Sequence, residues 1–229
     1  MLETKFIGVT MSIYRDFVNK AVSPESVVLD LGCGDGKYGA IREISVRPKI
    51  LIGLDNDEGL IKENSYLAYR VLGDAHNLPF RQNSFDLIIT REVFEHIENP
   101  DTVLFEAARV LKANGKMIIQ TPNKLNPISF LSSILSLKTK ARLKRLLTNE
   151  SKIEGNYKTY YRCNTSRKLS HTLRRNGFSV ESLVYERIGL DWIKNPIIKA
   201  AFIIFQKITK VGFLRCFRQQ IICAAKKTE

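Results

Sequence analysis

The chain has 229 residues, of which 44% are hydrophobic and 26% charged. That balance excludes a disordered polymer and is enough for the core of one α/β domain. Four cysteines (Cys33, Cys163, Cys216, Cys223) with no C-x-x-C pair, and three histidines that do not cluster with them, argue against a zinc module or a disulfide framework. The net charge of +13 is unevenly spread: residues 1–120 sum to −3 and residues 121–229 to +16. A basic half faces something anionic or forms a solvated surface.

Met1–Thr10 lacks the apolar run and cleavage site of a secretion signal, so a cytosolic protein or one at the inner membrane face is expected. Thr10–Val22 has helical spacing of Met11, Tyr14, Phe17, Val18 and Val22, and Ser23-Pro24 ends it. The apolar run 27–31 predicts a buried parallel strand, and Lys37–Ile44 the helix after it. Lys49–Leu54 predicts a second strand, Asp57–Ala68 a helix, Tyr69–Gly73 a third strand and Ser84–Thr90 a fourth. Pro100–Leu111 is an amphipathic helix with Asn114-Gly115 as its stop, and Lys116–Thr121 a fifth strand. Alternating strands and helices imply a parallel sheet with helices on both faces. After Pro122 the pattern changes. Asn126–Asn149 is apolar and then basic, and reads as an insertion. Ser166–Asn176 predicts a helix, Phe178–Glu186 a strand, Asn195–Val211 an apolar helix bearing lysines, and Gln220–Lys226 a closing strand.

The most informative segment is Asp30-Leu31-Gly32-Cys33-Gly34-Asp35-Gly36. It is not a dinucleotide fingerprint, since Lys37 stands where G-x-G-x-x-G needs glycine, and it is not a Walker A loop. An acid two residues before the first glycine would repel a pyrophosphate and suits a cationic group. The segment closely resembles motif I of class I S-adenosylmethionine-dependent methyltransferases, whose cofactor is a zwitterionic amino acid joined through a sulfonium to adenosine. Glycines allow such a ligand close to the backbone. The resemblance implies a Rossmann-like, seven-stranded, mostly parallel sheet with its last strand antiparallel. It implies cofactor contacts at Asp30, Gly32, Cys33, Gly34 and Gly36.

Further segments add to the resemblance. Asp55 closes the second strand about 20 residues beyond the loop, where a carboxylate holds a ribose diol. Asn56 follows it, and Asp57 competes as a helix cap. Gly73-Asp74-Ala75-His76-Asn77-Leu78-Pro79-Phe80 is similar to the family's adenine segment, which implies contacts at Asp74 and Ala75. Arg109-Val110-Leu111-Lys112-Ala113-Asn114-Gly115 resembles the turn before strand five. Thr90-Arg91-Glu92-Val93-Phe94-Glu95-His96 resembles a stretch of the ubiquinone-type O-methyltransferases, and implies that Thr90 and Arg91 flank the methionine end. Glu92 and His96 would share a helix face. His96 is either a structural residue or the general base for an acceptor hydroxyl. In some relatives the positions of Glu92, Glu95 and His96 are linked to a divalent metal, but relatives without metal share the pattern and none is assigned. The resemblance covers residues 27–122 closely and the rest loosely.

The whole chain is expected to be one domain, with a cofactor half (1–122), an acceptor-side cap (123–165) and a sheet-completing end (166–229). Tyr157, Tyr160, Tyr161 and Arg162 precede the Ser166 helix, where relatives line the acceptor pocket; they are equally packing aromatics. The helix at 195–211 reads as a core element, or as one lying on an anionic membrane. The function expected is methyl transfer from S-adenosylmethionine, by O-methylation of a small-molecule, lipid-linked or glycan acceptor. RNA methylation by the basic half, and a non-catalytic cofactor-binding scaffold, are the alternatives. No N-P-P-[YF] motif of amino-methylating enzymes is present.

Overall fold

The computed structural model describes residues 13–37, 39–127, 129–130, 139, 157–187, 193 and 195–228. Its strands are β1 (Val27–Leu31), β2 (Ile50–Asp55), β3 (Tyr69–Leu72), β4 (Phe85–Arg91), β5 (Leu111–Pro122), β6 (Phe178–Glu186) and β7 (Gln220–Lys227). They form one seven-stranded sheet in the order β3-β2-β1-β4-β5-β7-β6. Strands β1 to β5 pair in parallel, and β7 runs antiparallel to both β5 and β6. The expected doubly wound sheet with an antiparallel last strand is therefore the one observed.

Side chains along a strand point alternately to the two faces, and each face has its own core. Leu29, Ile88, Met117, Ile119 and Cys223 pack with Val103, Leu104 and Ala107 of α3 (Pro100–Val110) and with Leu169 and Leu173 of α4 (Ser166–Arg175). Val28, Leu87, Ile89, Ile118 and Ile222 pack on the other face with Tyr14 and Val18 of α1 (Ile13–Ala21). The chain runs outward from β1 to β3 and then returns to β4. The carboxyl ends of β1 and β4 thus flank a switch point, where open sheets of this kind bind ligands.

Four expectations are corrected. Among the described residues of the helix expected over Lys37–Ile44 there is only a 3-10 turn, Ala40–Glu43, where the Asp30 carboxylate takes the Ile41 N–H (3.2 Å) after Gly36 turns with φ +78°. The helix expected over 57–68 is the shorter α2 (Glu58–Glu63), capped by Asp57, whose carboxylate accepts from Gly59 N–H (2.9 Å) and Leu60 N–H (3.0 Å). Helix α3 stops at Val110, and Asn114 (φ +62°) bends the chain inside β5 rather than ending the helix. Helix α5 (Pro196–Ile208) is not a core element: its single buried residue is the polar Gln206. The basic run at 138–145 lies outside the described residues, apart from position 139.

Candidate active site

The glycine loop is shaped from the neighbouring strand. Leu54 carbonyl accepts from Gly32 N–H (2.8 Å) and Cys33 N–H (3.1 Å), and Gly34 carbonyl accepts from the Asn64 amide (2.9 Å). Gly32, Gly34 and Gly36 all adopt positive φ (77°, 49° and 78°), a region closed to most side chains. The Asp55 carboxylate then ties the loop to the end of β2. Its Oδ2 accepts from Gly34 N–H (2.8 Å) and its Oδ1 from Asp57 N–H (3.0 Å). The helix cap is Asp57, so Asp55 keeps the remaining lone pairs of both oxygens for a ligand.

A cavity of about 430 Å³ opens at this switch point. Its walls include Gly32 and Gly34, Asp55 and Asn56, and Asp74 and Ala75. Leu31, Leu54, Leu60, Val93 and Ile97 add apolar surface. Glu92, His96, Tyr157, Lys158 and Tyr160 close the opposite side. Asp74 sits in a tight turn, with its Oδ1 accepting from His76 N–H (2.9 Å), and this bond foremost holds the carboxyl below its usual range. Arg109 fixes the following segment by donating to the carbonyls of Phe80 (2.8 Å) and Leu78 (2.9 Å), while Glu106 takes Leu78 N–H (2.8 Å).

Other expected cofactor residues stand behind the wall. The Cys33 thiol lies against Gly53, where a Cβ would come within 2.7 Å of its sulfur, and burial pushes it up to about 12. Gly36 makes the turn, its N–H donating to Cys33 carbonyl (3.2 Å). Thr90 is fully buried, and its carbonyl accepts from Tyr14 hydroxyl (3.2 Å). Arg91 is drawn away by an ion pair with Glu43 (2.8 Å). Asp30 is fully buried, with Oδ1 lacking a hydrogen-bond partner among the described residues, and burial raises its carboxyl to about 7.

Asp30 carries a pH prediction. Its folded pKa lies above the ordinary value near 3.9, so the neutral form favours the folded state. That contribution is present below about pH 4 and is lost as pH rises through about 7, on the order of 4 kcal/mol in all. In thermal unfolding across pH, Asp30→Asn is expected to gain on the wild type as pH rises through that window. Parallel curves would show that Asp30 is ionised throughout.

The segment after β4 does not form the helix expected to align Glu92 with His96. Glu92 adopts φ +57°, its N–H donating to Gln120 carbonyl (3.0 Å), and a 3-10 turn spans Phe94–His96. Both residues nevertheless reach the cavity. Glu92 Oε1 accepts from the Gln220 amide (2.7 Å). Glu95 is buried beneath them, and burial followed by the charge of Glu92 raises its carboxyl well above the usual range. His96 Nδ1 lies 2.9 Å from Lys158 carbonyl, which can only accept. The ring is therefore assigned with its proton on Nδ1, leaving Nε2 as the basic nitrogen. Tyr157 reaches across to Asp57 Oδ2 (2.5 Å) and meets the His96 ring edge-on (5.9 Å between centroids), so residues 157–160 strap the two sides of the cavity together. Tyr161 packs inward, its N–H donating to Glu95 carbonyl (3.2 Å), and Arg162 is exposed away from the wall.

Sequence reasoning did not single out the apolar wall or Lys158. Leucines at strand ends carry no mark that separates them from core. His76 lies inside a quoted motif with no role attached, and Glu92 enters only through the helix face expected with His96 and through the metal pattern of some relatives.

Residues 29–119 match the family profile described as a methyltransferase domain. A ubiquinone biosynthesis O-methyltransferase from Nitrosomonas europaea is 25% identical over 202 residues, covering 85% of this chain and 77% of the relative. A demethylmenaquinone methyltransferase from Thermotoga maritima is 34% identical over 105 residues, covering 43% of this chain and 44% of the relative. The chain spans about half or less of several other curated relatives that it matches. Among solved structures, a methyltransferase from Haloferax volcanii, in complex with the Trm112 methyltransferase activator, superposes with a TM-score of 0.65 at 18% identity, covering 94% of this chain and 88% of that one.

Proposed function

We propose that the protein, whose residues 29–119 match a methyltransferase-domain profile, is a class I enzyme that transfers a methyl group from S-adenosylmethionine to a hydroxyl group of a small-molecule or lipid-linked acceptor. The observation carrying this reading is the cavity at the switch point, which joins a glycine edge and two carboxylates to a histidine with an oriented imidazole. The donor set suits S-adenosylmethionine. Asp55 has lone pairs for two ribose hydroxyls, and Asp74 and Ala75 offer an acceptor and a backbone N–H for an adenine edge. The apolar wall accepts the ring face and the methylene chain. Asp30, buried behind the loop with Oδ1 unpartnered among the described residues and its carboxyl raised to about 7, would be ionised by a cationic group bound nearby.

Bound there, S-adenosylmethionine supplies a methyl carbon activated by a sulfonium and open to in-line displacement, so alignment accounts for much of the rate. The chain supplies that alignment through the loop, Asp55 and the 157–160 strap. Water is displaced by Leu31, Leu54, Val93 and Ile97. His96 Nε2 accepts the acceptor hydroxyl's proton, and Lys158 carbonyl keeps the ring turned the right way while Nδ1 stays protonated. Tyr157 and Tyr160 flank the acceptor. Similarity to proteins named as ubiquinone O-methyltransferases supports a hydroxyl on a ring as the acceptor.

Calorimetric titration with S-adenosylmethionine and its demethylated product tests the cofactor half, with binding in the micromolar range expected. Absence of binding to either would overturn the reading. With an acceptor in hand, His96→Gln is expected to lower kcat/KM by about 10²–10⁴ and to remove the acidic limb of its pH profile. A loss of tenfold or less with an unchanged profile would reduce His96 to a strap residue.

A further inference from the structure

We propose that the face built by α5 and the Gly212–Phe217 turn docks the protein flat onto an anionic lipid bilayer. Helix α5 is inverted relative to a core helix. Ile197, Ile204 and Ile208 fall on one side at helical spacing and are 79%, 59% and 52% exposed, while Gln206 is buried. The turn continues the surface with Val211 (60%) and Phe213 (81%). Exposed apolar side chains this concentrated mark a contact surface.

Charge selects the occupant. Residues 192–228 contain no Asp or Glu, and Lys207, Lys210 and Arg215, all exposed, are interspersed in the chain with the exposed apolar residues. Burial, then the charges of Arg187 and Arg215, hold Arg218 below its usual value. Two copies meeting through this face would bring these cations together. Lipid phosphates would neutralise them, each surface cation adding about fivefold to affinity for an anionic leaflet. The helix cannot span. Its 13 residues rise about 20 Å, short of a hydrocarbon core of about 30 Å. Among the described residues no helix is long and apolar enough to cross a membrane. An amphipathic helix bearing cations instead lies in the interface.

The face is tied to the carboxyl edge of the sheet, where the cavity opens. The Asn123 amide donates to the carbonyls of Cys216 (2.6 Å) and Arg218 (2.8 Å), and that of Asn126 to Phe217 carbonyl (2.9 Å). Two residues beyond Arg218, Gln220 donates to Glu92 on the cavity wall. A bilayer held on this face would lie beside the site, within reach of an acceptor with a lipid tail.

The test is co-flotation of the full chain with phosphatidylcholine vesicles, with and without phosphatidylglycerol. It needs no activity, so its outcome is independent of the methyltransferase reading. Binding is expected only with phosphatidylglycerol. An Ile197→Gln, Ile204→Gln, Phe213→Ser variant should lose at least about tenfold in affinity. A Lys207→Gln, Lys210→Gln, Arg215→Gln variant should lose about a hundredfold. Phe105→Ser, which removes an exposed aromatic from α3, should bind as wild type. All positions changed are exposed, and an unchanged thermal melting curve verifies folding. Absence of vesicle binding by the wild type, or an apolar variant that binds equally well, would overturn the proposal. So would a dimer in solution that the apolar variant dissociates, or RNA binding that competes with vesicles and survives the apolar changes.

Discussion

Asp55→Ala is expected to weaken S-adenosylmethionine binding by about a hundredfold or more, as read by calorimetry against the wild type. Two losses combine. The carboxylate is the acceptor placed for the ribose hydroxyls, and charge-assisted hydrogen bonds contribute about 1.5–3 kcal/mol each. It also holds the loop, through Gly34 N–H at 2.8 Å, and the start of α2, through Asp57 N–H at 3.0 Å. Removing it frees the glycine edge that the cofactor would rest on. Asp55→Asn separates these roles, because its single carbonyl oxygen serves one of the two backbone N–H groups. Its loss should fall between the wild type and alanine. Binding by Asp55→Ala within about threefold of wild type, which is only about 0.6 kcal/mol, would remove Asp55 from the cofactor site. A melting curve on each variant separates loss of the site from loss of the fold.

The parts of this molecule that local chemistry dictates are legible in its sequence. Buried strands read as apolar runs, and Asp55, Asp57 and Asp74 stand at strand ends whose neighbours announce a turn. The wall built from Gly32, Gly34, Asp55, Asn56, Asp74 and Ala75 follows from contiguous motifs. Long-range pairing is less legible. Arg91 stands next to the site in sequence but turns to Glu43, 48 residues earlier. Glu92 and His96 read as i and i+4 on a helix, yet a backbone bond from Glu92 to Gln120 accompanies a left-handed residue there, and both residues reach the cavity by another path. The apolar composition of α5 gave no sign of which side would face water, because composition marks an apolar helix but not what covers it. The strap depends on Tyr157 meeting Asp57, 100 residues away, a contact that no local pattern encodes.

Gly32→Ala is expected to cost about 2–5 kcal/mol of stability and to abolish cofactor binding, because two separate penalties fall on one position. The backbone there has φ +77°, which an alanine adopts at a cost of about 1–2 kcal/mol. The added Cβ would stand 2.2 Å from Val93 Cγ2, far inside contact distance, on a backbone that Leu54 carbonyl already holds by Gly32 N–H. Overpacking of that kind costs about 1–3 kcal/mol more. Val93 also lines the cavity, so either residue moving would deform the wall beside Glu92 and His96. The double variant Gly32→Ala, Val93→Ala tells the penalties apart. Removing both Val93 methyl groups leaves its Cβ at 3.3 Å from the new atom, a distance small shifts absorb. The steric part should then be recovered and the backbone part retained, as a positive coupling in denaturant unfolding. If the two changes add without coupling, the close approach of β1's turn to the residue after Glu92 is not what shapes this end of the cavity, and the glycine is required there for its backbone angle alone.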